Sequence, residues 1–311
     1  MELDKEPVLV LYIVGAGHSG STLLDIVLGN HPKIASSGEL GNFIRKGWIN
    51  GRYCGCGKWS NKCQFWSNVY KEWTYRVGVN DAVGYLALQN AFERFRCWLR
   101  LQKERRRLAG SGRFGAYADR TQALFEAVRA VSGKSIIVDS SKNPVRALAL
   151  SMISGVDLRV VHLVRDGRGV IWSYMKKKNM GRNIPSDRLY TSSWRAGFLW
   201  FLINVSSEFV LWKTGLHGVR IKYEDFVEQP EEVLKQIGQM LEIKFDAVAK
   251  LLSSGKEVVI GHPIAGNRIR MAGSIRFRPD YEWKKLLPKN VQRIFWLLAG
   301  SLARKYGYSW I

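Results

Sequence analysis

An α/β fold, P-loop-like and three-layered around a central mostly parallel sheet, is predicted by three features of this sequence. The first is Pro7 to Asn30, where an apolar run passes through a glycine-rich turn into a helical pattern. The second is a series of later apolar runs that each end in polar residues, at the strand ends where open parallel sheets bind ligands. The third is that helical patterns separate those runs, as crossovers between parallel strands require.

Val8 to Val14 is almost wholly apolar, which fits a strand buried on both faces. Gly15, Gly17 and Gly20 follow, and without a Cβ they allow a sharp turn that brings several N–H groups close to an anion. Ser21, Thr22, Leu23, Leu24, Val27 and Leu28 then open a helix whose positive end points at the same place. Gly17, His18, Ser19, Gly20, Ser21 and Thr22 therefore read as a phosphate cradle rather than a ligand-free turn. In the nucleoside-triphosphate version, G-x-x-x-x-G-K-[ST], a lysine precedes the last residue; here that position is Ser21, which disfavours a metal-triphosphate kinase.

His31-Pro32 ends the first helix, and Lys33 to Ser37 leads into Gly38-Glu39-Leu40. A polar, aromatic segment runs to about Thr74. Within it, Tyr53 to Trp66 holds three of the four cysteines as C-x-C-x6-C. Zinc needs four ligands, and neither a C-x-x-C pair nor a nearby histidine completes a set, so ordinary thiols in a glycine-rich loop are favoured over metal or redox use. Cys97 lies in a helical pattern and reads as core. Leu86 to Leu108 is predicted helical, with Phe92, Phe95, Trp98, Leu99 and Leu101 as its apolar stripe and seven basic residues elsewhere. A solvated basic face is the ordinary reading of such a pattern, and a docking surface for an acidic acceptor or anionic headgroups the sharper one. Gly110 to Gly115 breaks the pattern. One domain spanning 1–311, with an inserted helical and cysteine-containing lobe at about 41–115, is the expected organisation.

Ala118 to Val131 is a predicted helix and Ser135 to Val138 a short strand, ending in Asp139-Ser140-Ser141-Lys142-Asn143-Pro144; Pro144 suits a first helical turn. Leu158 to Val164 is the next strand, ending in Arg165-Asp166-Gly167-Arg168-Gly169, and Val170 to Lys178 continues as a helix. A long aromatic helix is expected from about Asp187 to Lys213, built for core packing. Val219 to Lys222 is the last strand, running into Tyr223, and Pro230 to Leu241 is an amphipathic helix. Gly255 to Asp280 has little periodicity and reads as a lid or substrate loop. Pro288 to Tyr306 closes the chain as a helix.

At 311 residues and 46% hydrophobic content, the chain can bury a sizeable core. A net charge of +22 predicts anionic substrates or partners. Four cysteines are too few for a disulfide framework. The acidic N-terminus lacks the features of a signal peptide, and no apolar stretch reaches the roughly 20 residues of a membrane span. A cytoplasmic protein, with contact to an anionic membrane surface left open, is the expectation.

The segment VGAGHSGSTLLDIVLGNHPKIASSGEL resembles the 5′-phosphosulfate loop of sulfotransferases that use 3′-phosphoadenosine 5′-phosphosulfate (PAPS). RVVHLVRDGRGVIWSYMKKK resembles the same family's 3′-phosphate motif, an arginine at a strand end followed eight residues later by a serine. VDSSKNPVRAL, IKYEDFVEQPEEVL and the closing GN…W…LP…GYSW are similar to bacterial members and, more distantly, to tyrosylprotein sulfotransferases. The resemblance covers most of the chain in order, least of all about 41–115. It implies a sulfonate transfer from PAPS to a hydroxyl or amine, with no metal required.

The chemistry of the residues is compatible. Such a donor has two separate anionic groups; Arg165 can pair with the 3′-phosphate while Ser173 donates a hydroxyl bond and Lys177 adds a third contact. A surface ion pair with Asp166 or another acid is the alternative for Arg165. The resemblance implies Glu39 as the base that takes the acceptor's proton and Lys142 as the cation on the leaving group. For Glu39 the alternative is capping the next helix, and for Lys142 simple solvation. His18 stands where many members have arginine, so it supplies a hydrogen bond rather than a charge or shares in proton transfer. Tyr223, Asn267, Arg268 and Arg276 fall in the donor-binding loops. Expected acceptors are carbohydrate, glycolipid, peptide tyrosine or a small molecule; nucleic acid is not expected. The rival readings are a nucleotide-dependent kinase and a non-enzymatic basic module for nucleic acid or membrane.

Overall fold

In the computed structural model, residues 6–106, 112–179, 186–275, 277 and 279–310 are described. Five parallel strands form the central sheet: β1 (Val8–Val14), β2 (Ile34–Ser36), β3 (Ile136–Lys142), β4 (Val156–Val164) and β5 (Gly218–Lys222). Their order is β2-β3-β1-β4-β5, so β1 lies at the centre with β3 and β4 on either side. The expected mostly parallel sheet is thus parallel at every pairing of these strands.

Alternation along β1 assigns its side chains to two layers, because successive residues of a strand point to opposite faces. Val8, Val10, Tyr12 and Val14 join one core cluster; Leu11 and Ile13 join another. The first face is covered by α2 (Leu40–Phe43), α3 (Gln64–Val77), α4 (Ala82–Phe92), α5 (Trp98–Arg106), α6 (Gly112–Ser132) and α7 (Pro144–Leu150). The second is covered by α1 (Ser21–Leu28), with α10 (Tyr223–Glu228), α11 (Pro230–Leu241) and α12 (Asp246–Ser253). Beside the end of β4, a third cluster joins α8 (Gly167–Asn179), α9 (Ser186–Thr214), α13 (Trp283–Leu286) and α14 (Lys289–Lys305) around Trp200, Trp283 and Phe295.

Several elements depart from their sequence pattern. The polar segment before Thr74 is largely helical: a π-helical stretch at Ile44–Ile49 and α3 bury Phe43, Trp66 and Trp73 together with Trp48 packed against them. The continuous helix expected from Leu86 to Leu108 is broken between α4 and α5 by a 3-10 turn, Phe95–Cys97. Within α5, Leu99 and Leu101 are two residues and so about 200° apart, and Leu101 is fully buried while Leu99 is 81% exposed. β3 continues to Lys142, beyond the apolar residues, because its polar end is still paired with β1. Val258–Val259 (β6) pairs antiparallel with Ser274–Ile275 (β7), and a 3-10 turn at Arg268–Met271 lies between. The late segment read as a lid or substrate loop is tied to the body by Asn30, which bonds Val259, and by the bonds of Ile264 with Ser37 and Glu39. No described helix is long and apolar enough to cross a membrane.

The cysteine loop also differs from its reading. Cys54 and Cys63 are buried, Cys56 is exposed, and the Nδ1 of His262 reaches both buried sulfurs, 3.7 Å from Cys54 and 3.4 Å from Cys63. The histidine missing from the local pattern is supplied 199 residues downstream of Cys63.

Candidate active site

The turn after β1 is dictated by what surrounds it. Gly15 has φ 144°, and a Cβ there would fall 2.3 Å from the carbonyl oxygen of Leu163. Gly20, with φ 90°, caps α1, and a Cβ there would enter the Tyr223 ring at 2.4 Å. Between them His18 holds φ 64°, a left-handed conformation that costs a non-glycine residue about 1–2 kcal/mol. Among the described residues, no protein acceptor takes the amides of Gly17, Ser19, Gly20, Ser21 or Thr22, and the buried Ser19 hydroxyl also lacks a partner. Amides and a hydroxyl gathered at the start of a helix form a binding surface for an anion.

Arg165, at the end of β4, completes one side of this surface. It is 5% exposed, and the ion pair with another acid considered from the sequence is present, with Asp280 at 3.3 Å. Its Nη1 donates to the His18 carbonyl at 3.1 Å and to the Ser173 hydroxyl at 3.4 Å; its Nη2 donates to the carbonyl and carboxylate oxygens of Asp280. The guanidinium lies 4.4 Å from the centroid of the Tyr223 ring. Asp166, the expected alternative partner, is bound by Arg168 instead. The His18 ring meets Tyr174 edge-on, with centroids 4.3 Å apart.

Glu39 and Lys142 form the other side. Pairing shifts along β3, so that Tyr12 faces Asp139 and Val14 faces Lys142; the extra residue is a bulge, which re-aims the side chain after it. Lys142 has φ 69° and its Nζ donates to Glu39 Oε1 at 2.5 Å and to the Ser140 carbonyl at 2.9 Å. The carboxylate also accepts from Asn42 at 2.9 Å and lies 3.6 Å from the Lys46 ammonium. Burial alone pushes Glu39 up, but the Lys142 charge, then Lys46 and Asn42, outweigh it and hold the carboxyl below its ordinary value. Glu39 occupies the cap position of α2 without capping it through its side chain, and Lys142 is paired rather than solvated. A Cβ on Gly266 would fall 2.8 Å from Thr22 Oγ1 and 3.7 Å from Glu39 Oε1, which puts the carboxylate beside the first turn of α1.

A buried carboxylate, a cation paired with it and a glycine turn with several free amides among the described residues thus share one end of the sheet. The sequence matches a family model described as "Sulfotransferase family" over residues 11–247. The chain belongs to the sulfotransferase family. Its chemistry is sulfonyl transfer. Among solved structures, it is similar to the sulfotransferase domain from the curacin biosynthetic pathway, at 19% identity and a TM-score of 0.50, covering 98% of this chain and 99% of that one. It is also similar to the sulfotransferase domain of the Synechococcus PCC 7002 olefin synthase, at 17% identity and a TM-score of 0.49, covering 97% and 98%. At such identities the first likeness concerns the fold, an α/β sheet flanked by helices. No curated protein matches the sequence.

In this sulfotransferase the sequence-predicted residues gather unevenly. Gly17, His18, Ser19, Gly20, Ser21, Thr22, Arg165, Ser173 and Tyr223 line the cradle or contact its other members, and Glu39 and Lys142 pair beside it. Asn267 donates its amide to Thr22 Oγ1 at 3.1 Å, and its side chain caps the 3-10 turn through the Ile269 amide. Arg268 is exposed; the arginine that the turn directs inward is Arg270, whose Nη2 donates to the Tyr53 carbonyl at 3.2 Å. Spacing on a 3-10 turn, where side chains repeat every three residues, separates two arginines only two apart. The Lys177 side chain and Arg276 lie outside the described residues.

The residues missed are those beneath the site. Asp25 is 1% exposed and its carboxylate accepts from the Gly38 amide at 3.0 Å and the Ser140 hydroxyl at 2.7 Å, fixing the loops of both Glu39 and Lys142. Burial raises its carboxyl to about 7. Asp139 accepts from the Leu40 amide at 3.2 Å and from Arg146 at 2.9 and 3.0 Å, and Arg146 also binds Glu93. Asp25 and Arg146 sit inside apolar helical patterns, where sequence offers only an oddity, an ionisable residue on a core-facing position, and Asp139 lies in a polar strand end that gives no hint of its partners.

Proposed function

We propose that this sulfotransferase moves a sulfonate from PAPS to the hydroxyl of an acceptor, releasing 3′-phosphoadenosine 5′-phosphate. The observation that carries the reading is the pair of buried Glu39 with half-buried Lys142, set against Thr22, at the mouth of a glycine turn whose amides meet no acceptor among the described residues. In the step, the acceptor oxygen forms a bond to sulfur as the bond from sulfur to the bridging phosphate oxygen breaks. The acceptor's proton passes to Glu39. Lys142, already within reach of that carboxylate, donates toward the charge that grows on the departing phosphate. Arg165 and Ser173 take the 3′-phosphate, the group that separates the product 3′-phosphoadenosine 5′-phosphate from adenosine 5′-phosphate.

Calorimetric titration of the protein with 3′-phosphoadenosine 5′-phosphate, beside adenosine 5′-phosphate and magnesium-ATP, tests the donor. Binding that requires the 3′-phosphate and is lost in Arg165→Ala is the expected result. Equal binding of all three, or none of any, refutes it.

A further inference from the structure

The cysteine loop and His262 form a second constellation, separate from the Glu39–Lys142 pair. Cys63 Sγ lies 3.7 Å from Cys54 Sγ and 3.6 Å from Cys56 Sγ. His262 Nδ1 lies 3.7 Å from Cys54 Sγ and 3.4 Å from Cys63 Sγ, and all four atoms are within 4.8 Å of one another. No pair of these sulfurs is bonded, since a disulfide holds them about 2.05 Å apart. The spacing suits another chemistry. A tetrahedral zinc ion with bonds of about 2.3 Å to sulfur and about 2.0 Å to nitrogen separates its ligand atoms by roughly 3.5–3.8 Å.

We propose that Cys54, Cys56, Cys63 and His262 bind one zinc ion as a closed structural site. Three soft sulfurs and one imidazole select zinc, and four protein ligands leave no open position for catalysis. The ligands are held by the fold. The Cys54 amide donates to Lys58 and the Gly57 amide returns to Cys54, a tight turn that presents two sulfurs. Phe65 stacks on the His262 ring with an interplanar angle of 8°, and Trp66 Nε1 donates to the His262 carbonyl at 2.9 Å. Three thiolates leave the filled centre one negative charge, and Arg270 stands next to it on the Tyr53 carbonyl. The ion would lock the loop of Cys54 to the strand-like segment after His262. That segment in turn accepts the Glu39 amide on Ile264 at 2.8 Å and donates the Ile264 amide to Ser37 at 3.1 Å.

The test is the metal content of the full chain, purified under reducing conditions from zinc-supplemented medium and measured by inductively coupled plasma mass spectrometry. One zinc per chain is expected, falling to a small fraction in Cys56→Ser and in His262→Ala. Cys56 is exposed, so its replacement leaves the core packing in place. Cobalt(II) added to the stripped wild type should give the intense visible absorption of a tetrahedral thiolate site, absent in Cys56→Ser. A chelator should lower the unfolding temperature of the wild type and leave that of Cys56→Ser unmoved. A folded wild type that carries no zinc and gives no tetrahedral cobalt spectrum overturns the proposal. So does a Cys56–Cys63 or Cys54–Cys63 disulfide found by mass spectrometry, or full zinc retention in both variants.

Discussion

His18 and Lys142 are both held at positive φ without being glycine, and both belong to the candidate site. Such conformations persist only where surroundings over-determine them, and they concentrate where side chains are aimed for chemistry. For Lys142 the result is a cation that keeps Glu39 ionised. If Glu39 is the base, the acid limb of the kcat/KM profile therefore falls below the ordinary glutamate value of 4.5. A limb well above that value would instead assign the proton transfer to another group. Asp25 behaves in the opposite sense. Below pH about 4 it is protonated in folded and unfolded chains alike; between about 4 and 7 only the unfolded chain releases the proton, so its contribution to stability falls as pH rises. Urea denaturation should show Asp25→Asn gaining on the wild type across that window, whereas a constant difference would mean that Asp25 titrates normally. The behaviour of Asp25 was not readable beforehand. Asp25 follows Leu23 and Leu24 in a helix whose pattern predicts only burial, and the hydrogen bonds that partly offset that burial come from neighbours 13 and 115 residues away.

Among the elements, β3 does the most to assemble the site. Its bulge aims Lys142, its Asp139 anchors the start of α2, and Arg146 on α7 ties Asp139 to Glu93 at the end of α4. Removing one member of such a buried ionic group strands the others. Arg146→Leu should cost about 3–5 kcal/mol of unfolding free energy, read by chemical denaturation; a loss under 1 kcal/mol would mean that Asp139 and Glu93 find water or protons instead. β1 and its glycines were legible because a buried strand and a tight turn are written in adjacent residues. The bulge was not, since one extra residue in a ladder depends on the partner strand. The same holds for the cysteine loop: C-x-C-x6-C is local, but His262 is brought in only by the pairing of Gly38 and Cys54 with Ile264.

At the scale of the whole molecule, a net charge of +22 surrounds the proposed donor site. Association with 3′-phosphoadenosine 5′-phosphate should slow at least several-fold between 0.05 and 0.5 M salt in stopped-flow mixing, because screening shortens the reach of that field from over 10 Å to a few ångströms. A salt-independent rate would locate the positive charge away from the pocket. The parallel sheet and its ligand-binding edge followed from the sequence, because strand ends carrying Lys142 and Arg165 need only chain order to converge. Which charges oppose them did not follow. Arg165 is neutralised in place by Asp280, which holds both its own carbonyl and its carboxylate on the same guanidinium nitrogen. If Arg165 takes the 3′-phosphate as proposed, Asp280 is an internal counter-ion, a tethered competitor at fixed effective concentration that the phosphate must displace. Asp280→Asn, which keeps the carbonyl contact and removes the charge, should tighten binding of 3′-phosphoadenosine 5′-phosphate in calorimetry, and weaker binding would show that the aspartate orients the arginine rather than competing for it. The carboxylate then acts as a reservation held on the seat, and its release sets a threshold against weakly charged molecules.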